Sequence, residues 1–115
     1  MGRIEPGTQA VMDEALAQRL AALKTRFRER ALGEAQALAQ LSETLDGPPE
    51  LELQAQIRRI AHSLSGGGGT FGYDVISASA AKLEELVLDH PDAPELAATC
   101  RALVADVRHA LEQDR

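Results

Sequence analysis

Ile57-Arg58-Arg59-Ile60-Ala61-His62-Ser63-Leu64-Ser65-Gly66-Gly67-Gly68-Gly69-Thr70-Phe71-Gly72 is the stretch that decides how this chain is read. Wound as an α-helix at about 100° per residue, it brings Ile60, Ala61 and Leu64 within roughly 60° of Ile57, one narrow apolar stripe. His62 falls about 150° from the middle of that stripe, on the face directed away from a core. Its helical neighbours one turn before are Arg58 and Arg59, and one turn after are Ser65 and Gly66. The histidine is therefore expected to be exposed, flanked by two cations and overlooked by residues with almost no side chain.

That setting bears on its chemistry. The helical wheel sets aside a core histidine and leaves two readings, an ordinary solvent-facing residue or a reactive one. An imidazole with open access and nearby cations is what a phosphoryl acceptor requires. It offers a nucleophilic nitrogen, room for in-line attack and charge compensation for the product. Arg58 and Arg59 are placed to pair with anionic oxygens at the ring.

Working outward, the pattern is helical throughout. Residues 1–7 read as a loose lead-in, with Thr8 as N-cap and Asp13 and Glu14 early in the first helix. Leu16, Leu20, Leu23, Phe27, Ala31, Ala35, Leu38, Leu41 and Leu45 then recur at spacings of three and four. The rhythm crosses Gly33, which costs about 1 kcal/mol in a helix interior without having to break it. One long helix, or two nearly collinear ones, is expected. Its N-terminal third outruns the helices that follow and needs some other partner, a dimer contact or another domain.

Asp46-Gly47-Pro48-Pro49 stops that helix, and Glu50 opens the one bearing His62, which the four glycines Gly66 to Gly69 should bring to a close, its last residue left open because packing can hold glycine helical. A third helix should start near Gly72 to Asp74 and face inward through Ile76, Ala80, Leu83 and Val87, with Leu86 beside them. After His90-Pro91-Asp92-Ala93-Pro94, a fourth should bury Leu96, Cys100, Leu103, Val107 and Leu111. Nothing alternates with period two. The expected fold is a single all-α domain over residues 1–115, an antiparallel four-helix bundle with a long N-terminal helix.

Bulk properties narrow the function. The 115 residues suffice for one core without metals or disulfides. Twelve Lys and Arg against eighteen Asp and Glu give a net charge of −6, which argues against a nucleic-acid binder. The lone cysteine, Cys100, reads as core and fits a reducing cytoplasm. No apolar run approaches the roughly 20 residues of a membrane span, and no signal peptide is seen. His90 and His109 stand at no metal-ligand spacing from His62 or Cys100, so neither a metal site nor a cofactor is expected. The glycine run lacks the Gly-Lys-Ser/Thr ending and preceding strand of a phosphate loop. Arg26-Arg28-Glu29-Arg30 reads as a solvated face.

Ala61-His62-Ser63-Leu64-Ser65-Gly66-Gly67-Gly68-Gly69-Thr70-Phe71-Gly72 resembles the signature of histidine-containing phosphotransfer (HPt) domains. It is closest to those at the N-terminus of chemotaxis-type histidine kinases. The likeness includes the aliphatic residue two after the histidine, the glycine four after, and Phe-Gly nine and ten after. It continues to Leu83-Glu84, twenty-one and twenty-two after. It covers the chain from about Phe27 onward. The resemblance implies a four-helix bundle phosphorylated at Nε2 of His62, with Glu84 on the third helix hydrogen-bonding Nδ1 and fixing the tautomer. Glu85 competes for that role, and the register favours Glu84. The family's lysine three after the histidine is replaced here by Ser65, so either Arg58 or Arg59 supplies the charge or phosphoryl stability or partner choice differs; Arg58, only about 40° from His62 around the helix, is favoured.

On this reading the chain is a phosphocarrier and not an enzyme with its own ATP site. Its partners would be a histidine kinase and a response-regulator receiver domain, which brings the Mg²⁺ and the acceptor aspartate. Ser65, Gly66, Gly69, Phe71 and Tyr73 are the candidate docking and access residues. The competing reading is a helical interaction module whose histidine no longer reacts, favoured by the missing lysine. An enzyme with general acid–base chemistry would need a pocket where this bundle offers an exposed face. The end of the chain at Arg115, with no linker, favours a separate protein over a piece of a larger kinase. Monomer and dimer remain equally open.

Overall fold

The three-and-four spacing of apolar residues becomes four helices in the computed structural model, which describes residues 6–114, with side chains from residue 9 onward. They are α1 (Pro6–Glu43), α2 (Leu51–Thr70), α3 (Asp74–Asp89) and α4 (Leu96–Gln113). Each packs antiparallel on its neighbours around a four-sided ring, α2 most closely on α3, and α1 on α4. No strand occurs among the described residues. The core is aliphatic as composition requires, with Leu38, Ile57, Leu64, Ile76, Leu83, Leu103, Val107 and Leu111 buried around Phe27. Cys100 is fully buried, and burial pushes its thiol up to about 11, so it stays protonated as a small core residue.

Two expectations change, the first and third below, and one choice between alternatives is decided. Residues 1–5 of the lead-in lie outside the described residues, but Pro6 and Gly7 already belong to α1. The locked φ of proline suits a first turn, so Thr8 stands inside that turn and not at its cap. Second, α1 is a single helix through Gly33, 38 residues and about 57 Å long. Its burial begins only at Phe27; Leu16, Leu20 and Leu23 share the apolar rhythm and are exposed. Third, the glycine run does not close α2, which continues through all four glycines to Thr70.

Packing explains why the glycines stay helical. A Cβ on Gly67 would sit 2.3 Å from Cε1 of Phe27, and one on Gly68 would sit 3.0 Å from the backbone nitrogen of Ser77. The pair lets α1 and α3 press onto α2 where any larger residue would hold them off. The chain turns only at Gly72, whose φ of +82° lies in the left-handed region that a Cβ disfavours. There Tyr73 N donates to Gly68 O at 2.7 Å and Phe71 N to Gly67 O at 3.0 Å, satisfying the last carbonyls of α2.

Two glycine substitutions should therefore move stability in opposite directions. Gly33 is exposed with nothing within 4 Å of a new Cβ, so Gly33→Ala is expected to stabilise by about 0.5–1 kcal/mol. Gly67→Ala must displace the buried Phe27 ring and is expected to destabilise by about 1–3 kcal/mol. Urea unfolding followed by helical circular dichroism measures both.

Candidate functional site

His62 stands near the middle of α2, one residue past the buried Ala61 and two before the buried Leu64. Burying those two turns the residue between them outward. Its side chain is 77% exposed. Across the α2–α3 seam, Leu83 is buried in the core and the next residue, Glu84, reaches back over the edge of the helix. Glu84 Oε2 lies 2.8 Å from His62 Nδ1, with the carboxylate itself only 21% exposed. Glu85, the competing residue, is exposed and has no such contact.

This contact sets the tautomer. An ionised carboxylate can only accept, so Nδ1 must carry the hydrogen, and in the neutral ring the lone pair is then on Nε2. No side chain among the described residues hydrogen-bonds Nε2. The carboxylate also stabilises positive charge on the ring, the charge that forms when Nε2 bonds to an electrophile. The arrangement suits nucleophilic attack from Nε2 on a group presented from solvent.

The rest of the site is held by contacts from both neighbouring helices. From α3, Ser77 Oγ donates to the backbone oxygen of Ser65 at 2.9 Å. From α1, Glu34 Oε1 accepts from Ser63 Oγ at 3.0 Å, and Arg30 Nε lies 3.6 Å from the same oxygen. Gly66, one turn beyond His62, is exposed, and nothing lies within 4 Å of where its Cβ would stand. The C-terminal approach to the ring is open. Arg58 and Arg59 are exposed and diverge. Arg58 lines a depression of about 200 Å³ with Val87 and Leu88 of α3. Arg59 lines one of about 370 Å³ with Ala37 and Leu41 of α1. Arg58 is thus on the side of Glu84.

The family model described as Hpt domain matches residues 14–113. The chain belongs to the Hpt domain family. No match is found among curated proteins or among solved structures. Members of the Hpt family are phosphocarriers and not kinases. Among the described residues no helix is long and apolar enough to cross a membrane, and no group of three or more His, Cys, Asp or Glu is placed to hold a metal ion.

Within this Hpt domain, one expected docking residue is misplaced and another only partly available. Tyr73 is buried, and its ring stacks on Phe27 at 5.7 Å. Its hydroxyl donates to Asp114 Oδ2, so it ties α3 to the end of α4 and offers no docking surface. That bond, with Lys24 at 3.1 Å, holds the Asp114 carboxyl below its ordinary range. Phe71 is half-buried and stacks on Phe27 at 5.4 Å. Gly69 is exposed, and a Cβ added there would meet only Ser77 Oγ, at 3.5 Å. The run Arg26-Arg28-Glu29-Arg30 is not uniformly solvated: Arg28 donates to Leu111 O at 2.9 Å and to the Tyr73 hydroxyl at 3.1 Å.

The link through Glu34 was not visible in the sequence. Its only local signal is Arg30 four residues earlier, a common surface spacing. Glu34 Oε2 is buried without a partner, and burial raises the carboxyl above its ordinary value, opposed by the Ser63 hydrogen bond and by Arg30. A carboxyl raised on folding is penalised when ionised. The penalty is complete above the folded value and disappears as pH falls through it. Glu34→Gln keeps an acceptor for Ser63 and removes the charge. It is expected to stabilise by up to about 1 kcal/mol at pH 7 and by almost nothing at pH 4. Denaturation at the two pH values checks this; a less stable variant at pH 7 would mean that the attraction of Arg30 outweighs burial.

Proposed function

We propose that this chain is a phosphorelay intermediate in which Nε2 of His62 takes a phosphoryl group from one signalling protein and gives it to another. The donor is a histidine kinase or a phosphorylated receiver domain, the acceptor is the aspartate of a response-regulator receiver domain, and the compartment is the cytoplasm. The observation that carries the reading is the 2.8 Å contact of Glu84 with Nδ1 of a ring that is otherwise open to solvent.

In the step from an aspartyl phosphate, the Nε2 lone pair attacks phosphorus, an N–P bond forms and the carboxylate leaves with the electrons of the broken P–O bond. The hydrogen stays on Nδ1, and the resulting ring cation faces Glu84. The reverse step returns the lone pair to Nε2, so the same geometry serves both directions. Arg58, from the Glu84 side, and Arg59, from the α1 side, supply the cations for the phosphoryl oxygens that the family's lysine would supply at Ser65. Ser65, Gly66, Gly69 and the half-buried Phe71 form the approach beside them.

The missing lysine favours a second reading, an interaction module that binds receivers or kinases without accepting phosphate. Incubation with kinase and labelled ATP, or with a phosphorylated receiver, separates the two. The relay predicts acid-labile, base-stable label on the wild type and none on His62→Gln. Glu84→Gln should retain the label but acquire it about tenfold or more slowly, as loss of a partner that orients an imidazole does. Wild-type protein that binds receiver and takes no label would leave only the interaction module.

A further inference from the structure

Cations gather along the groove between α1 and α2, although the chain carries a net charge of −6. The contacts Arg30–Gly67 and Glu34–Ser63 set an antiparallel register there, and Phe27 stacked on Phe71 continues it. On α1, Arg26, Arg30, Gly33, Ala37 and Gln40 fall within about 80° of one another around the helix. Arg30 meets Gly67, and Ala37 and Gln40 line the α1–α2 depression, so this flank faces α2. Arg26 is exposed, has no ion pair among the described residues, and by the register stands level with the end of α2. On the other wall, residues 53–73 include Arg58 and Arg59 and no Asp or Glu. Glu34, the carboxylate between the walls, has one oxygen buried and the other engaged by Ser63 and Arg30.

The groove is also open lengthwise. It follows α2 for about 21 Å, from Gln56 to Thr70. At one end is the depression of about 370 Å³ lined by Ala37, Leu41 and Ile60, with Arg59 at its rim. Arg30 and Arg26 stand at the other end, roughly 12–18 Å further on. Between the ends, Gly33 and Gly66 carry no side chain, and nothing lies within 4 Å of where a Cβ would stand on either. Gly66 is only about 40° around α2 from His62, on the side of Arg59. An occupant of the groove therefore has clear passage to the imidazole.

We propose that this groove seats an acidic surface helix of the protein that exchanges the phosphoryl group with His62, an inference that rests on the relay reading of that histidine. A helix laid between two antiparallel helices reads such a groove at fixed intervals. The intervals here call for an apolar side chain in the depression and, two to three turns on, carboxylates opposite Arg30 and Arg26. The same charges steer the approach of a partner whose aspartyl phosphate is itself anionic. Nucleic acid or an anionic membrane would present negative charge over a wider area and meet the acidic remainder of the molecule.

Transfer to the full chain from receiver domains of the same cell, phosphorylated with acetyl phosphate, tests this. At about 20 mM salt, Arg26→Glu should slow transfer about tenfold, and at about 500 mM the gap should fall below about twofold. Ala37→Glu should slow it at both salt concentrations, since it also obstructs the mouth of the depression. Arg101→Glu makes the same charge change as Arg26→Glu on an exposed site of α4, which has no contact with α2, and should stay within about twofold of wild type. Phosphoramidate, a donor too small to need docking, should label His62 equally in all of these proteins. Wild-type rates in both Arg26→Glu and Ala37→Glu overturn the proposal. So does an equal loss in Arg101→Glu, which would mean that net charge alone matters. Binding of the wild type to phosphatidylglycerol vesicles, lost in Arg26→Glu, would give the groove to a membrane instead. If no label passes at all, the relay fails, and receiver affinity decides the groove, which stands only if Arg26→Glu and Ala37→Glu weaken binding.

Discussion

The close approach of α2 and α3 is the constraint on which the site depends. Helices pack with axes about 8–10 Å apart, nearer the lower figure when the facing residues are small. Along this seam Gly68 is buried, and the backbone nitrogen of Ser77, near the start of α3, would lie only 3.0 Å from an added Cβ there. That nearness brings the short side chain of Glu84 within hydrogen-bond distance of a ring on the neighbouring helix. The Ser77 hydroxyl, bonded to the carbonyl of Ser65, fixes the register of the same seam one turn further on. The Glu84 contact that sets the tautomer of His62 thus rests on a seam whose closeness is seen at Gly68, six residues further along α2.

The outward direction of His62 was legible from the sequence because it depends on one helix alone. The same holds for the inward residues of α3 and α4, which the structure buries as the spacing requires. What was not legible depends on contacts between helices. Taken by itself, a run of four glycines is a poor helix, and only the Phe27 ring and the Ser77 backbone show why it is retained as one. Tyr73 sits in a turn and carries a polar tip, both marks of a surface residue. Its burial is set by Arg28 and Asp114, 45 residues before it and 41 after. The Glu34–Ser63 bond likewise joins residues 29 apart.

The electrostatics around His62 run against the charge of the whole chain. The protein is acidic overall, yet Arg58 and Arg59 stand one turn before the ring on opposite shoulders of α2, and Arg30 of α1 lies on the other side of it, against Gly67. Of the carboxylates linked to this part of α2, Glu84 is engaged by Nδ1, and Oε1 of Glu34 by Ser63 and Arg30. On the relay reading, a dianionic phosphoryl group then has cations on both sides of the ring. Divergent arginines hold a group less rigidly than one lysine fixed at the position of Ser65 would. They also leave the glycine side of the ring unobstructed for whatever brings the phosphate.

The two halves of α1 show what packing adds to propensity. From Phe27 onward, the helix is held by burial of Phe27, Ala31, Ala35 and Leu38 against the rest of the bundle. Before Phe27, the same rhythm of Met12, Leu16, Leu20 and Leu23 meets only solvent. An isolated helix of about 15 residues is marginal in water even with good formers. This arm continues a helix already nucleated by the bundle, and Lys24 and Arg28 clamp its root to Asp114. Both effects favour helix at the root and neither accounts for the apolar stripe. Alanine or glutamate at Leu16 and Leu20 would propagate the helix equally well or nearly so. Leucine at those positions, in phase with Phe27, adds apolar surface that gains free energy only when another surface covers it.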